Sequence, residues 1–188
     1  MLKEGLPDTL TYHNVDHMLD VCFHSLTIAD QEGITDNLTL TNLTLAALYH
    51  DTGFLHIYQG HEEKSCEIAR VQLPLFEVCD DQLAVICELI MATKVPQTPV
   101  THLQQIICDA DLDYLGRTDF YETGDKLRRE LLACQLITGE HDWEERQLRF
   151  LKEHHFFTTT SDKKRTPVKL EYIKQLEQRQ NSEKRSFL

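Results

Sequence analysis

Residues 46–53 read Ala46-Ala47-Leu48-Tyr49-His50-Asp51-Thr52-Gly53. An apolar helical pattern ends here in a histidine–aspartate pair, and a glycine follows two residues later. An ionised carboxylate is costly to bury in apolar surroundings unless it is paired or bound to a metal. No lysine or arginine occurs between Lys3 and Lys64, so the sequence offers Asp51 no local salt bridge. The adjacent imidazole therefore favours a divalent metal at this position.

Helical periodicity extends from this stretch in both directions along the chain. No alternating run with β-branched enrichment competes with it, so the sequence predicts a single all-α domain. Pro167 is placed at the first position of the last helix, where proline is favoured. The predicted helices cover about residues 11–31, 37–51, 61–73, 80–91, 101–116, 119–138, 141–157 and 167–180.

The charge of the chain is strongly acidic and unevenly spread. Its 188 residues hold 31 Asp and Glu against 19 Lys and Arg, a net charge of −12. Residues 162–188 carry a net charge of +4, and residues 1–161 carry −16. We therefore divide the chain into a helical core, 1–161, and a basic C-terminal helix or tail, 162–188. An acidic body is a poor match to extended nucleic acid, which is bound by neutralising its phosphates.

Cysteine usage and hydropathy favour a cytoplasmic protein. The six cysteines show no CxxC spacing, which is typical of reduced, buried thiols. The first residues lack an apolar segment of signal-peptide length. The most apolar stretch, 83–93, is far shorter than the ~20 residues that span a bilayer. We expect neither membrane association nor secretion.

Two further polar segments accompany the histidine–aspartate pair. Residues 12–17 contain His13 and His17, which are four apart and would share one face of a helix. Residues 108–115 carry three alternating carboxylates in apolar surroundings: Asp109, Asp111 and Asp113. These three cannot share a helical face, so at most one or two of them reach a common site.

The ordered series of His, His-Asp and Asp resembles the HD superfamily of metal-dependent phosphohydrolases, in particular small bacterial HD-domain proteins. The resemblance covers about residues 6–118 and implies a compact helical bundle around a divalent ion, with Mn, Fe, Co, Ni, Zn or Mg as candidates. By this resemblance the metal ligands are His17, His50, Asp51 and Asp111. Asp109 is the alternative to Asp111.

The Tyr12-His13-Asn14-x-x-His17 segment resembles a motif of cyclic-nucleotide phosphodiesterases. In that motif the second histidine binds metal and the first donates a proton to the leaving oxygen, which gives those roles to His17 and His13. We assign His13 and Asp51 to the catalytic set. His61 joins that set as a contact to phosphate or to a second metal, and Lys94 as a contact to phosphate. Arg117, like Lys94, is a candidate contact to phosphate. The alternative for His61, Lys94 and Arg117 is an ordinary surface position.

Three departures separate the chain from better-known branches of the superfamily. Phe54 stands where the cyclic-nucleotide enzymes carry a second histidine after the doublet. The Gly-Tyr-Pro element of the cyclic-di-GMP branch is absent, and so is the Glu-Asp pair of the stringent-response hydrolases. The substrate branch therefore stays open.

The resemblance implies cleavage of a nucleotide phosphomonoester or phosphodiester by a metal-activated water. A non-catalytic HD sensor that binds nucleotide without turnover is the alternative. A third hypothesis is an interaction module that uses the basic C-terminal helix on an acidic partner. The expected partner is a small phosphorylated molecule, and the sequence leaves a homodimer open.

Overall fold

The computed structural model describes residues 7–186, which form eight α-helices and no β-strand. The prediction of an all-α fold is confirmed. Residues 1–6 of the predicted helical core and residues 187–188 of the predicted C-terminal segment lie outside the described residues. The helices are α1 Val15–Gln31, α2 Asn37–Tyr49, α3 His61–Gln72, α4 Asp80–Ala92, α5 His102–Asp111, α6 Phe120–Ala133, α7 Glu140–Glu153 and α8 Thr159–Ser186. Single 3₁₀ turns lie at Thr52–Leu55, Leu73–Phe76 and Asp113–Gly116.

The first helix begins later than its apolar pattern predicts. Asn14 is extended, and its side-chain oxygen accepts hydrogen bonds from the backbone N–H groups of Asp16 (2.9 Å) and His17 (3.2 Å). An asparagine in this conformation is a strong N-cap. The predicted start at Thr11 is wrong for that reason, and His13 lies in the segment before the helix.

The last helix begins earlier than predicted. Thr158 caps α8, because its Oγ1 accepts a hydrogen bond from the backbone N–H of Ser161 at 3.1 Å. Pro167 consequently lies inside the helix, and its predicted place at the helix start is wrong. The predicted segment boundary at residue 161 falls within the first turn of α8.

Helices α1 to α5 pack around one hydrophobic core. Its fully buried members include Val21, Leu43, Ile86, Ile90 and Ile106, one or two from each of α1, α2, α4 and α5. Burial of apolar surface on this scale is the main stabilising contribution to a domain of this size. This bundle fixes the ends of α2 and α5, where the predicted ligands lie.

A second hydrophobic cluster joins α6, α7 and α8 to the 113–116 turn. Phe120 and Leu151 are fully buried in it, and Leu176 of α8 packs beside them. At Gly116 a Cβ atom would lie 2.5 Å from the Cβ of Arg165, so only glycine allows α8 to come this close. None of the described helices is long and apolar enough to cross a membrane.

Candidate metal centre

The histidine–aspartate doublet lies where α2 ends and a 3₁₀ turn begins. His50 Nδ1 donates a hydrogen bond to the carbonyl oxygen of Ala47 at 2.8 Å. A carbonyl only accepts, so Nδ1 carries a proton, and Nε2 is the nitrogen whose lone pair the neutral ring would offer to a metal. Ser65 of α3 holds the turn, because its Oγ donates to the His50 carbonyl oxygen (2.6 Å) and accepts from the Gly53 N–H (2.8 Å).

Four side chains from α1, the doublet and the end of α5 converge beside this turn. Asp51 Oδ2 lies 3.4 Å from His17 Nε2 and 3.2 Å from His50 Nε2. Asp111 Oδ1 lies 3.2 Å from His17 Nε2 and 3.5 Å from His50 Nε2. The structure thus brings together all four side chains that the family resemblance implies as metal ligands, and we call this group of four the metal cluster.

The donor atoms of this cluster fit a divalent cation. His17 Nε2, His50 Nε2 and Asp51 Oδ2 are buried and make no hydrogen bond to any described residue. No described lysine or arginine lies within ion-pair distance of Asp51 or Asp111, whose charged contacts are histidines. Buried polar atoms without partners are costly, and a shared cation would satisfy them together. Two imidazoles and two carboxylates suit a transition metal.

Electrostatics in the cluster favour ionised carboxylates. Burial acts to raise the pKa of Asp51 and Asp111, but the neighbouring imidazoles outweigh it and hold both pKa values below their ordinary range. The two aspartates are therefore in the form that binds a metal.

Asp109, the alternative ligand, faces away from the cluster. Its carboxylate accepts hydrogen bonds from the backbone N–H groups of Phe157 and Thr158, both at 2.8 Å, and from Thr158 Oγ1 at 2.7 Å. Its role is to hold the start of α8 against α5.

Residues 14–113, more than half of the chain, match the sequence profile of the HD domain. The chain belongs to the HD domain family. The HD domain here also resembles, in fold, the crystal structure of a predicted HD superfamily hydrolase from an uncultured Thermotogales bacterium. The two chains are 21% identical with a TM-score of 0.61, and the match covers 97% of this chain and 88% of that one. No curated protein matches the sequence.

His13 lies beside the metal cluster of this HD domain although it is outside α1. Its ring centroid is 5.9 Å from that of His17. Glu130 of α6 holds it, because one carboxylate oxygen accepts from the backbone N–H of His13 (3.0 Å) and the other pairs with the ring Nδ1. Tyr58 donates a further hydrogen bond to the same carboxylate at 2.9 Å.

Phe54 separates two histidines at the edge of the cluster. Its ring stacks on His13 at 4.2 Å and on His61 at 3.9 Å between centroids. His61 Nδ1 donates to the Tyr58 carbonyl oxygen at 3.0 Å, which turns its Nε2 toward Asp51 Oδ1 at 3.5 Å. The phenyl ring that replaces a histidine of the phosphodiesterase pattern therefore positions two others.

Lys94 and Arg117 are not brought to the cluster. Lys94 is exposed, pairs with Glu63 and is not among the residues lining the cavity beside the metal cluster. Arg117 binds Asp20 and Asp119, each at 2.7 Å. The assignment of Lys94 to substrate phosphate gains no support from this placement.

Sequence reasoning missed two residues of the site. Glu130 is fully buried beside His13, and Gln97 donates a hydrogen bond from Nε2 to Asp111 Oδ2 at 3.3 Å. Gln97 lies 14 residues from its partner and Glu130 lies 117 residues from His13. No local spacing signals contacts of this kind.

A cavity of about 490 Å³ opens from the metal cluster toward α6 and α7. Asp51, Asp111, His13, His61 and Glu62 line its deep end. Asp51 is only 2% exposed, whereas Arg146 and Arg149 of α7 are exposed and mark the mouth. The cavity is large enough for a small organic molecule.

Proposed function

We propose that the protein is a metal-dependent phosphohydrolase that cleaves a phosphomonoester or phosphodiester, with a nucleotide as substrate. The observation that carries the proposal is the cluster of His17, His50, Asp51 and Asp111 at the deep end of a ligand-sized cavity. Membership in the HD domain family supports a metal-dependent phosphohydrolase in general. The nucleotide is inferred from the phosphodiesterase-like segment at residues 12–17.

Bound in this cluster, a divalent ion would offset the charge of a phosphate group and lower the pKa of a coordinated water. The chain supplies the geometry for that chemistry. The hydrogen bond from His50 Nδ1 to Ala47 aims Nε2 at the site, and Gln97 orients the Asp111 carboxylate. Such outer contacts fix the direction of metal ligands.

His13 is the proposed proton donor to the leaving oxygen. Glu130 occupies its Nδ1, so Nε2 is the ring atom left to meet a substrate. Burial acts to lower the pKa of His13, but the hydrogen bond that its ring donates to Glu130 and the charge of Asp51 outweigh it and raise that pKa. A raised pKa favours the protonated imidazole, the form that a general acid requires.

His61 is the proposed contact to the phosphate or to a second cation. Its Nε2 faces Asp51 Oδ1, whereas His17 and His50 face the other oxygen of that carboxylate. Glu62 Oε1 lies 3.5 Å from the same nitrogen. One carboxylate thus has imidazole nitrogens on both sides.

The direct test combines metal content with hydrolysis. Protein purified without chelator is analysed for metal, then assayed with nucleoside monophosphates and cyclic nucleotides in the presence of Mn²⁺, Co²⁺ or Ni²⁺. We expect Asp51→Asn to lose both metal and turnover, and the exposed control Asp30→Asn to keep both. Nucleotide-dependent thermal stabilisation without any turnover would instead identify a binding sensor. Full activity in Asp51→Asn would overturn the proposed site.

A further inference from the structure

The cavity has two chemically different parts. Its deep end carries the Asp51 and Asp111 carboxylates and the imidazoles of His13 and His61, whereas most of its remaining wall is apolar. Leu127 and Leu131 of α6 and Phe150 of α7 form one side of this wall, and Leu112 and Leu115 of the connection after α5 form the other. The metal cluster alone would not require such a wall.

Part of the apolar wall is only half-buried, although Leu127 and Phe150 pack on one side against the second hydrophobic cluster. Leu127 and Leu131 lie one helical turn apart on α6, and both are only half-buried although they line a concave surface. Phe150 of α7 is likewise half-buried. Apolar side chains that face a cavity gain free energy when a ligand of matching polarity displaces water from them.

The size of the cavity points to a ligand much larger than phosphate. A phosphate group at the metal cluster fills a small fraction of about 490 Å³. The rest of the ligand would then lie against the leucines of α6 and the aromatic rings of α7, where Trp143 also lines the cavity. In a phosphate ester, the part of the molecule beyond the phosphate group is the alcohol that the phosphate esterifies.

The apolar side formed by α6 and α7 lies outside the part of the chain that matches the family. The HD match ends at residue 113, and the wall of α6 and α7 comes from residues 127–151. The proposed metal ligands therefore lie within the stretch that matches the family, whereas this part of the wall lies outside it.

We propose that this wall, formed by Leu127, Leu131 and Phe150, binds the alcohol part of the substrate and selects phosphate esters of aromatic or otherwise apolar alcohols. The inference rests on the proposed phosphohydrolase function and narrows its substrate class. A nucleoside qualifies through its flat base, whereas sugar phosphates and glycerol phosphates do not.

The test uses pairs of esters with the same kind of leaving oxygen. 2-(1-Naphthyl)ethyl phosphate is compared with ethyl phosphate, and adenosine 5′-monophosphate with ribose 5-phosphate. Each pair joins phosphorus to a primary alcohol and differs in the aromatic group, so intrinsic reactivity is nearly matched. We expect kcat/KM to be at least about tenfold higher for the aromatic member of each pair.

The variant Leu131→Gln is expected to lower this aromatic preference at least about threefold, because it places an amide in the apolar wall. Leu132→Gln makes the same substitution at the next position of α6, which does not line the cavity, and is expected to keep the preference. Equal kcat/KM values within both pairs, or equal effects of the two variants, would overturn the inference.

A binding measurement separates this inference from the proposed function. Calorimetry of the purified protein with the naphthylethyl and ethyl phosphates is expected to give a tighter Kd for the aromatic ester, and Leu131→Gln to reduce the difference. If no ester is hydrolysed, the proposed function fails while calorimetry still decides the binding preference. Equal Kd values for the naphthylethyl and ethyl phosphates would contradict the inference even if the protein hydrolyses both esters.

Discussion

Glu130 accepts hydrogen bonds from both the backbone and the ring of His13, a residue 117 positions earlier in the chain. The same carboxylate accepts from the Tyr12 N–H at 2.9 Å and from the Tyr58 hydroxyl at 2.9 Å. It is fully buried, so its charge acts on His13 with little screening by water. The segment before α1 is thereby anchored to α6, and the His13 ring is held beside the metal cluster.

Replacing Glu130 by Gln should impair proton donation without removing the metal. Burial already acts to lower the pKa of His13, and Glu130 is the main group that raises it. Without that charge the pKa of His13 falls, so the protonated acid is lost at a lower pH and the alkaline limb of the kcat/KM profile moves to lower pH. We expect kcat near neutral pH to fall about tenfold or more.

The control for this prediction is Glu122→Gln, an exposed residue of the same helix. It should leave the pH profile and the metal content unchanged. An unshifted profile in Glu130→Gln with normal metal content would show that His13 does not act as the acid.

Removing the metal should destabilise the fold. Binding at a hundred times Kd contributes about 2.7 kcal/mol, which for a chain of this size corresponds to a Tm shift of about 5–10 °C. Thermal unfolding with chelator, and after Mn²⁺ is restored, measures this shift. Asp51→Asn should show no response to either treatment, and a shift of wild-type size in that variant would place the bound ion elsewhere.

Replacing Gln97 by Leu should weaken metal binding while the helices stay folded. Gln97 Nε2 donates to Asp111 Oδ2, which leaves Oδ1 facing the two histidines. Loss of such an orienting contact weakens metal affinity by about 10–100-fold. Titration of the metal-free protein with Mn²⁺ gives the Kd, and the exposed Gln31→Leu is the control. Identical Kd values in both variants would contradict the role of Gln97.

Replacing Arg149 by Gln should raise KM for an anionic substrate. Arg149 is exposed at the mouth of the cavity and makes no ion pair with any residue in the described part of the chain, whereas Arg146 is bound to Asp142 at 2.7 Å. A free cation at the mouth of an acidic protein attracts phosphate esters. We expect KM to rise about threefold at low ionic strength, with a smaller effect at high salt because exposed charges are screened.

The matched control for Arg149 is Arg70→Gln, an exposed arginine of α3 that does not line the cavity. It should leave KM unchanged at every salt concentration. A salt-independent change in Arg149→Gln would indicate a contact other than charge attraction.

The fold was largely predictable because helical periodicity and capping residues are local signals. The helix predicted from about residue 101 is present, and the Thr101 side chain caps it by accepting from the Gln104 N–H at 3.2 Å. The predicted start of α1 is wrong because the helical pattern extends to residues before Asn14, whose side chain caps the beginning of the helix. Whether a helix follows its apolar pattern or begins at a capping residue depends on the backbone conformation of that residue. The spacing of apolar residues carries no information about this conformation.

The choice between Asp109 and Asp111 shows where sequence reasoning about the site ends. Two residues apart on a helix, they point in nearly opposite directions, so one of them must face away from any common site. Which one faces the histidines depends on how α5 packs against α1 and α8. The family resemblance favoured Asp111, and the structure places that residue beside His17 and His50.

The hydrogen bonds from Phe157 and Thr158 to Asp109 affect which fragments of this chain can be expected to fold. A fragment limited to residues 14–113 would contain every proposed ligand, yet it would leave the Asp109 carboxylate without the donors that make its burial tolerable. The neighbouring turn of α5, which carries Asp111, would be free to rearrange. We therefore expect residues 14–113 on their own to bind metal more weakly than the full chain, because residues that contribute no ligand hold this turn in place.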